Sequence, residues 1–190
     1  MKHAINLRPF SENDITVVWE WRNSHNVSKY MYRQSIVPYE EHEKWFHKIS
    51  NDNSSEYWII QSGKNDIGVA CITNINVEHK HADWAFYIAN TQTRNSGIGA
   101  YVEFQIIYTV FEKLKLNKLC CEVLAWNESV IKLHKKFGFV EEGIKREHVL
   151  INDEYQDIVC FSLLASEWEK DKSEHFSRFK RLGFFTSQPI

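Results

Sequence analysis

The sequence predicts an α+β fold, with a mixed but mostly antiparallel central sheet and helices on both faces. Residues 56–89 alternate between apolar and polar side chains and are divided by hairpin-length turns, which is typical of an antiparallel meander. Farther along, residues 100–116 have helical periodicity and separate two strand-like runs. Such a crossover makes the two strands parallel, and we expect this parallel pair to splay apart and open a cleft.

The first fifty residues predict one strand followed by two helices. Ile5–Phe10 alternates, and the acid three residues after Ser11 completes a capping box that begins a helix over 12–23. Pro38 precedes a second helix over 39–50 with apolar side chains on one face. The aromatic-rich segment between these helices could line a pocket above the sheet. The alternative is that its Met and Tyr side chains simply pack in the core.

The second half of the chain is divided by glycines and by changes of period. Residues 119–124 are nearly all apolar, which indicates a strand buried on both faces. Asn127 begins a helix that ends at Gly138, a residue suited to the left-handed conformation found after helices. Two long strands then flank an Asn152-Asp153 turn.

Length and composition fit one folded domain. The chain has 190 residues, of which 43% are hydrophobic and 25% charged, as in ordinary globular proteins. We assign residues 1–166 to a single domain. Residues 167–190 are charged at first and have no clear period, so we assign them to a partly ordered C-terminal tail.

Charge and hydropathy narrow the classes of partner. The net charge of -2 argues against nucleic acid as a partner. No apolar run is long enough to span a bilayer and no signal peptide opens the sequence, so we expect a cytoplasmic protein that does not bind membranes. A homodimer is compatible with these properties.

The cysteines and histidines do not form a pattern that binds metal. The four cysteines lie in strand-like runs without CxxC spacing, and we expect buried, reduced thiols. The nine histidines include no HExxH motif and no His/Cys cluster, so no metal site is predicted.

The stretch from Asn90 to Gly99 is the first candidate binding site. It joins a strand ending near Ile88 to the helix over residues 100–116 and contains Gly97 and Gly99. A glycine-containing loop at a helix N-terminus presents free backbone N–H groups to an anion, most often a phosphate. An ordinary strand-to-helix turn is the alternative that this stretch alone leaves open.

Two segments resemble the GNAT family of acetyl-CoA-dependent N-acetyltransferases. Arg94–Ala100 is similar to the family's pyrophosphate-binding loop, and Asn127–Phe139 is similar to the family's Asn-x-x-(Ala/Ser) helix that ends in Gly-Phe. The resemblance implies a GNAT fold, acetyl-CoA as co-substrate and an amine as acceptor. The cofactor-binding residues that it implies are Tyr87, Ile88, Arg94, Asn95, Ser96, Gly97, Ile98, Gly99, Ala100 and Asn127.

The same resemblance assigns a catalytic role to His134. Many relatives have at this position a tyrosine that protonates the departing thiolate, and an imidazole can also donate a proton near neutral pH. Helical spacing places Asn127, Ile131 and His134 on a face toward the cleft, and Val130, Leu133 and Phe137 on a face toward the sheet. The alternative is that His134 only orders the cofactor. No general base is evident.

A narrower resemblance concerns the acceptor. Trp21-Arg22-Asn23, Tyr30-Met31-Tyr32 and Tyr39–His42 are similar to PseH-type enzymes, which acetylate the 4-amino group of a UDP-linked amino-dideoxy sugar in pseudaminic acid synthesis. This implies Arg22, Met31 and Tyr32 as substrate-binding residues, because a diphosphate requires a cation and a uracil requires a flat apolar wall.

Three alternatives remain at this point. Related acetyltransferases of ribosomal-protein N-termini and of polyamines carry a Trp-Arg-Asn-like start, so either acceptor could replace the nucleotide-sugar. An alternative of another class is a regulatory module that binds CoA without catalysis.

Overall fold

A seven-stranded sheet forms the centre of the protein in the computed structural model, which describes residues 5–90 and 97–184. The strands are β1 (Ile5–Pro9), β2 (Glu56–Ser62), β3 (Asn65–Asn76), β4 (His81–Ile88), β5 (Lys118–Leu124), β6 (Val140–Ile151) and β7 (Glu154–Leu164). The helices are α1 (Ile15–Asn23), α2 (His25–Ser28), α3 (Tyr39–Ser50), α4 (Ile98–Tyr108), α5 (Glu128–Lys136) and α6 (Ala165–Arg181). A 3-10 turn (Glu12–Asp14) precedes α1, and a π turn (Thr109–Lys113) follows α4.

The strand order β1-β2-β3-β4-β5-β7-β6 confirms the predicted mixed sheet. Strands β1 to β4 form an antiparallel meander, and β5, β7 and β6 are also joined by antiparallel pairs. The parallel pair β4–β5 is short, because only His81, Ala82 and Asp83 of β4 pair with β5. Beyond Asp83 the two strands separate, as the sequence predicted, and a cavity lies in the gap.

Helix α4 leaves the sheet through a glycine turn. Gly97 is the residue before the helix and has a φ of 84°, a left-handed conformation that glycine adopts without strain. A Cβ built on Gly99 would lie 3.5 Å from the Phe86 ring, so the first turn of α4 lies directly against β4. The rest of α4 is almost fully buried in the main core.

The predicted limits of α5 are confirmed. Asn127 is its N-cap residue, and Gly138 follows its C-terminal end with a φ of 84°. All four cysteines are free, but the expected burial holds only for Cys121, because Cys71, Cys120 and Cys160 are half-buried. None of the described helices combines the length and the apolar character needed to cross a bilayer.

The C-terminal region differs from the expected partly ordered tail. Residues 165–181 form the regular helix α6, whose Trp168, His175 and Phe179 are buried in the same core as α4. The Phe179 ring lies 4.9 Å from Phe104 and 5.3 Å from Tyr101. The many charged residues of α6 occupy its solvent face. Because they outnumber the buried residues, which lie seven and then four positions apart, no helical period stands out in the sequence.

Replacing Phe179 tests whether α6 belongs to the cooperative unit. Because Phe179 is 1% exposed among aromatic rings, Phe179→Ala should lower the free energy of unfolding by about 3–5 kcal/mol. Denaturant unfolding measures this change, and Leu182→Ala, at an exposed position next to the same helix, is the control. Equal and small losses in the two variants would mean that α6 unfolds separately.

Acid sensitivity tests the environment of His175, whose ring stacks 4.8 Å from Phe137. Burial lowers the pKa of His175 below its usual 6.5, and the charge of Arg178 adds to this. A histidine whose pKa is lower in the folded state stabilises the fold above the unfolded pKa and loses that contribution as the pH falls. Between about pH 7.5 and pH 5.5, the melting temperature should therefore fall less in His175→Gln than in the wild type. The exposed His25→Gln should follow the wild type, and a wild-type slope in His175→Gln would contradict the assignment.

Candidate active site

A cavity of about 840 Å³ occupies the gap between β4 and β5. Side chains from the segment between α1 and α3 line one side, and β3, β4, β5 and α5 supply the rest. The residues that line the cavity include Arg22, Tyr30, Met31, Tyr32, Arg33, Glu41, His42, Trp45, Tyr57, Asp83, Trp84, Tyr87, Cys121, Glu122, Val123, Asn127, Val130 and His134.

One wall of the cavity is the unpaired half of β4. Beyond Asp83 the side of β4 that faces β5 has no strand partner in the described sheet, so its backbone groups face the gap. Of the two β4 residues predicted to meet the cofactor, Tyr87 lines the cavity. The Ile88 side chain instead packs toward the main core and lies near the first turn of α4.

The N-terminus of α4 lies beside the same strand. Of the predicted phosphate loop, Arg94, Asn95 and Ser96 lie outside the described residues, whereas Gly97 and the first helical residues Ile98, Gly99 and Ala100 are described. The N–H groups of a helix's first turn point out of its N-terminal end, where they and the helix dipole favour an anion. This end of α4 therefore suits a phosphate group beside the carboxyl end of β4.

The three predicted acceptor residues, Arg22, Met31 and Tyr32, all line the cavity. The Arg22 Nη2 atom donates a hydrogen bond of 2.6 Å to the backbone carbonyl of Arg33. Its Nη1 atom is buried and has no hydrogen-bond partner among residues 5–90 and 97–184. Burial lowers the pKa of Arg22, yet a guanidinium stays charged in proteins. Arg22 therefore offers a half-buried positive charge and one unused donor to a ligand.

The segment after α2 crosses the cavity and is held on its far side. The Tyr32 hydroxyl donates a hydrogen bond of 2.9 Å to Glu122 of β5, and Lys145 of β6 donates to the other oxygen of the same carboxylate. The Tyr30 ring lies 5.5 Å from the ring of Trp126. These contacts hold the segment in place across the gap between β4 and β5.

His42 on α3 was not among the predicted site residues. Its side chain is 4% exposed and lines the cavity, and its Nε2 atom has no hydrogen-bond partner in the described part of the chain. Burial is the main cause of a lowered pKa, and the charge of Arg22 adds to it, so the ring is neutral at pH 7. A neutral imidazole with an unused nitrogen beside a guanidinium suits a hydrogen-bonding ligand. The helical period placed His42 on the same face as Phe46, but it could not show that His42 lines a cavity.

His134 lies deeper than its assigned face suggested. It is 3% exposed, and its ring lies 5.3 Å from Trp84 in an edge-to-face arrangement. Asn127 and His134 line the cavity, as expected. Ile131, expected to face the cleft, packs against the main core and is not among the lining residues, whereas Val130, expected to face the sheet, packs against that core and also lines the cavity. The expected division of the faces is therefore wrong at Ile131 and incomplete at Val130.

The physical reason is a buried partner for His134 on a different helix. The His134 Nδ1 atom lies 2.8 Å from Glu103 Oε1. Glu103 is fully buried in α4, and burial raises its pKa, while His134 acts in the opposite direction. This contact, together with the packing of Phe137 against α6, fixes the rotation of α5. Spacing within one helix cannot reveal it.

The chain matches one protein family over most of its length. The match is to the family described as "Acetyltransferase (GNAT) domain" and spans residues 4–140. Within the described residues, no group of three or more His, Cys, Asp or Glu side chains is arranged to hold a metal ion.

Similar proteins include acetyltransferases of more than one name. The spermidine N(1)-acetyltransferase of Vibrio cholerae is 26% identical over 169 residues, which cover 88% of this chain and 97% of that protein. Acetyltransferase PseH of Campylobacter jejuni is also 26% identical, over 166 residues that cover 86% and 96%. The crystal structure of the Vibrio cholerae spermidine N-acetyltransferase in complex with CoA and spermine has a TM-score of 0.81 and 25% identity, and covers 87% of this chain and 98% of its own.

These matches agree on the class of protein and on the fold. The matched family covers well over half of the chain, and the seven-stranded sheet with its short parallel pair agrees with it. The chain therefore belongs to the GNAT acetyltransferase family.

Proposed function

We propose that this enzyme transfers the acetyl group of acetyl-CoA to an amine of a small acceptor bound in the cavity. The observation that carries the proposal is the separation of β4 from β5 beside the N-terminus of α4. A pyrophosphate at residues 97–100 and a pantetheine arm along the unpaired side of β4 would bring the thioester into the cavity. The relative solved with CoA and spermine shares this fold.

Acetyl transfer needs a donor for the oxyanion, a route for the amine proton to leave, and a proton for the departing thiolate. The neutral amine nitrogen attacks the thioester carbonyl carbon, and the tetrahedral oxyanion needs a hydrogen-bond donor, which the unpaired N–H groups of β4 supply. The C–S bond then breaks with its electron pair on sulfur, the amine loses a proton, and the thiolate takes one up. His134 is the proton donor in this proposal, because its imidazole lines the cavity and lies 5.3 Å from the Trp84 ring of β4. Holding both reactants in one cavity supplies further rate through orientation.

For the acceptor we favour a UDP-linked 4-amino-4,6-dideoxy sugar. The half-buried Arg22 guanidinium has an unused donor at its buried Nη1 atom and no carboxylate partner among the described residues, which suits a diphosphate. His42 supplies a neutral nitrogen for a sugar hydroxyl. The aromatic walls, which include Tyr32, Trp45 and Tyr57, suit a uracil ring.

A polyamine is the second candidate, and the comparisons favour it slightly. A polyamine carries several positive charges, and Glu41, Asp83 and Glu122 line the cavity. However, Glu41 already accepts a hydrogen bond of 2.5 Å from Arg33, and Glu122 is paired with Lys145. Of the three lining carboxylates, a polyamine would therefore find only Asp83 without a cation partner among the described residues, and it would also meet the uncompensated charge of Arg22, which disfavours it.

A panel of amines decides between the acceptors. Release of free CoA thiol should be measured with a UDP-4-amino-dideoxy sugar, spermidine and N-terminal peptides of ribosomal proteins, and the amino-sugar nucleotide should give the highest kcat/KM. Turnover confined to spermidine or to a peptide would select that acceptor instead. Binding of acetyl-CoA without thiol release from any amine would make the chain a regulatory module.

Removing the charge of Arg22 gives opposite results for the two main acceptors. With a nucleotide-sugar, Arg22→Gln should raise the acceptor KM about 10-fold or more, since a charge-assisted hydrogen bond contributes about 1.5–3 kcal/mol. With a polyamine, loss of a repelling charge should leave KM unchanged or lower it. Arg181→Gln, on the exposed end of α6, is the control. An unchanged KM for the nucleotide-sugar would remove Arg22 from the acceptor site.

A further inference from the structure

Glu103 is the most unusual residue of the core. Most of the buried side chains of helix α4 are apolar, and Val102, Phe104 and Ile106 are among those at 0% exposure. Glu103 has the same 0% exposure. Its Oε2 atom has no hydrogen-bond partner among the described residues. A buried carboxylate with one unpaired oxygen costs stability that an apolar side chain of similar size would not, so packing alone does not explain Glu103.

The single described partner of the carboxylate is an imidazole that lines the cavity. Glu103 Oε1 lies 2.8 Å from His134 Nδ1. The imidazole ring is fixed from its sides by Trp84 and by Phe139, each 5.3 Å away between ring centroids. Because Nδ1 is engaged by the carboxylate, Nε2 is the nitrogen left for a group in the cavity.

We propose that Glu103 is a positioning residue for acetyl transfer, which holds the His134 ring and its Nδ1 proton so that Nε2–H points to the departing sulfur. The proposal deepens the proposed function and depends on His134 acting as the proton donor. A carboxylate that accepts the Nδ1 proton fixes the orientation and the tautomer of an imidazole.

The proton balance of the step supports this role. In the proposed cycle the pair begins as a carboxylate and an imidazolium, which together carry no net charge, so each offsets part of the other's cost of burial. As the C–S bond breaks, the Nε2 proton moves to the sulfur and forms the thiol of CoA. The pair then holds a carboxylate and a neutral imidazole that are still joined through Nδ1–H. The proton released by the amine enters the solvent, and a solvent proton restores the imidazolium, so protons and charge balance over the cycle.

A purely structural pair would tie α4 to α5 and would affect only stability. The positioning role predicts in addition a specific loss of turnover. Glu103→Gln keeps the size of the side chain and removes its charge, so kcat should fall about 10- to 100-fold, within the range of a general acid's contribution. The KM for acetyl-CoA should stay within about twofold, because Glu103 does not reach the cofactor.

A double-mutant cycle separates the two roles. His134→Ala should lower kcat more than Glu103→Gln, and the double variant should be no slower than His134→Ala, because Glu103 acts only through His134. Glu112→Gln is the matched control, since Glu112 accepts a hydrogen bond of 3.0 Å from Trp168 outside the cavity. Wild-type kcat in Glu103→Gln, or losses that multiply in the double variant, would overturn the proposal.

Proton NMR tests the contact without any acceptor. The wild type and Glu112→Gln should show a far-downfield imidazole proton, assigned to His134 Nδ1, that is missing from Glu103→Gln and from His134→Ala. Its absence from the wild type would overturn the proposal even if the enzyme is active. If no amine is turned over but the signal is present, the proposed function fails while the contact stands.

A second variant is available if Glu103→Gln melts too low to assay. Glu103→Asp keeps the charge but is one methylene too short to reach Nδ1. The same loss of kcat and of the proton signal is expected, with melting temperatures recorded for every variant. Wild-type turnover in a folded Glu103→Asp would also overturn the proposal.

Discussion

The early end of the β4–β5 pairing is the constraint on which the rest of the structure depends. The two parallel strands pair only from His81 to Asp83, and the cavity proposed for the reaction lies beyond that point. The gap exposes backbone groups of β4, gives the cavity its volume and brings Tyr87 and Glu122 to its walls. A continuous parallel pair would satisfy the same groups internally and would leave no space for two reactants.

Charge in this cavity is distributed unevenly, and that distribution gives it specificity. Most of the lining carboxylates are already paired, as with Glu122 and Lys145, whereas Arg22 and His42 keep unused polar atoms. Buried polar atoms without partners cost stability, so a ligand that satisfies them gains affinity over one that does not. The buried pair of Glu103 and His134 follows the same logic, since the positioning role that we propose for it would account for its cost to folding.

The elements that could be predicted from the sequence are those defined by local signals. The meander, the splayed parallel pair and the limits of α5 at Asn127 and Gly138 follow from periodicity, from crossover geometry and from the conformational freedom of glycine. Arg22, Met31 and Tyr32 were placed in one pocket by a resemblance, and they do line one cavity. Helix α6 escaped prediction because its charged face dominates its composition.

The polar core residues escaped prediction for a different reason. A helical pattern can show that Glu103 lies among apolar neighbours, and this was the one available signal, but it cannot show that residue 134 of another helix faces it. The rotation of α5 depends on that contact and on the packing of Phe137 against His175. Both are long-range contacts, which no single stretch of sequence contains.

The packing of the C-terminal region also joins two parts of the chain that seemed unrelated. The Phe184 ring, just past α6, stacks 4.6 Å from Tyr101, and it would be 3.7 Å from a Cβ on Gly97. The end of the chain's last helix thus supports the turn that begins α4. Thermodynamic linkage then requires that a ligand held at this turn strengthens the docking of α6, and that loosening of α6 weakens the ligand by the same free energy. A segment more than eighty residues away in sequence would in this sense contribute to the affinity of the anion site that we propose.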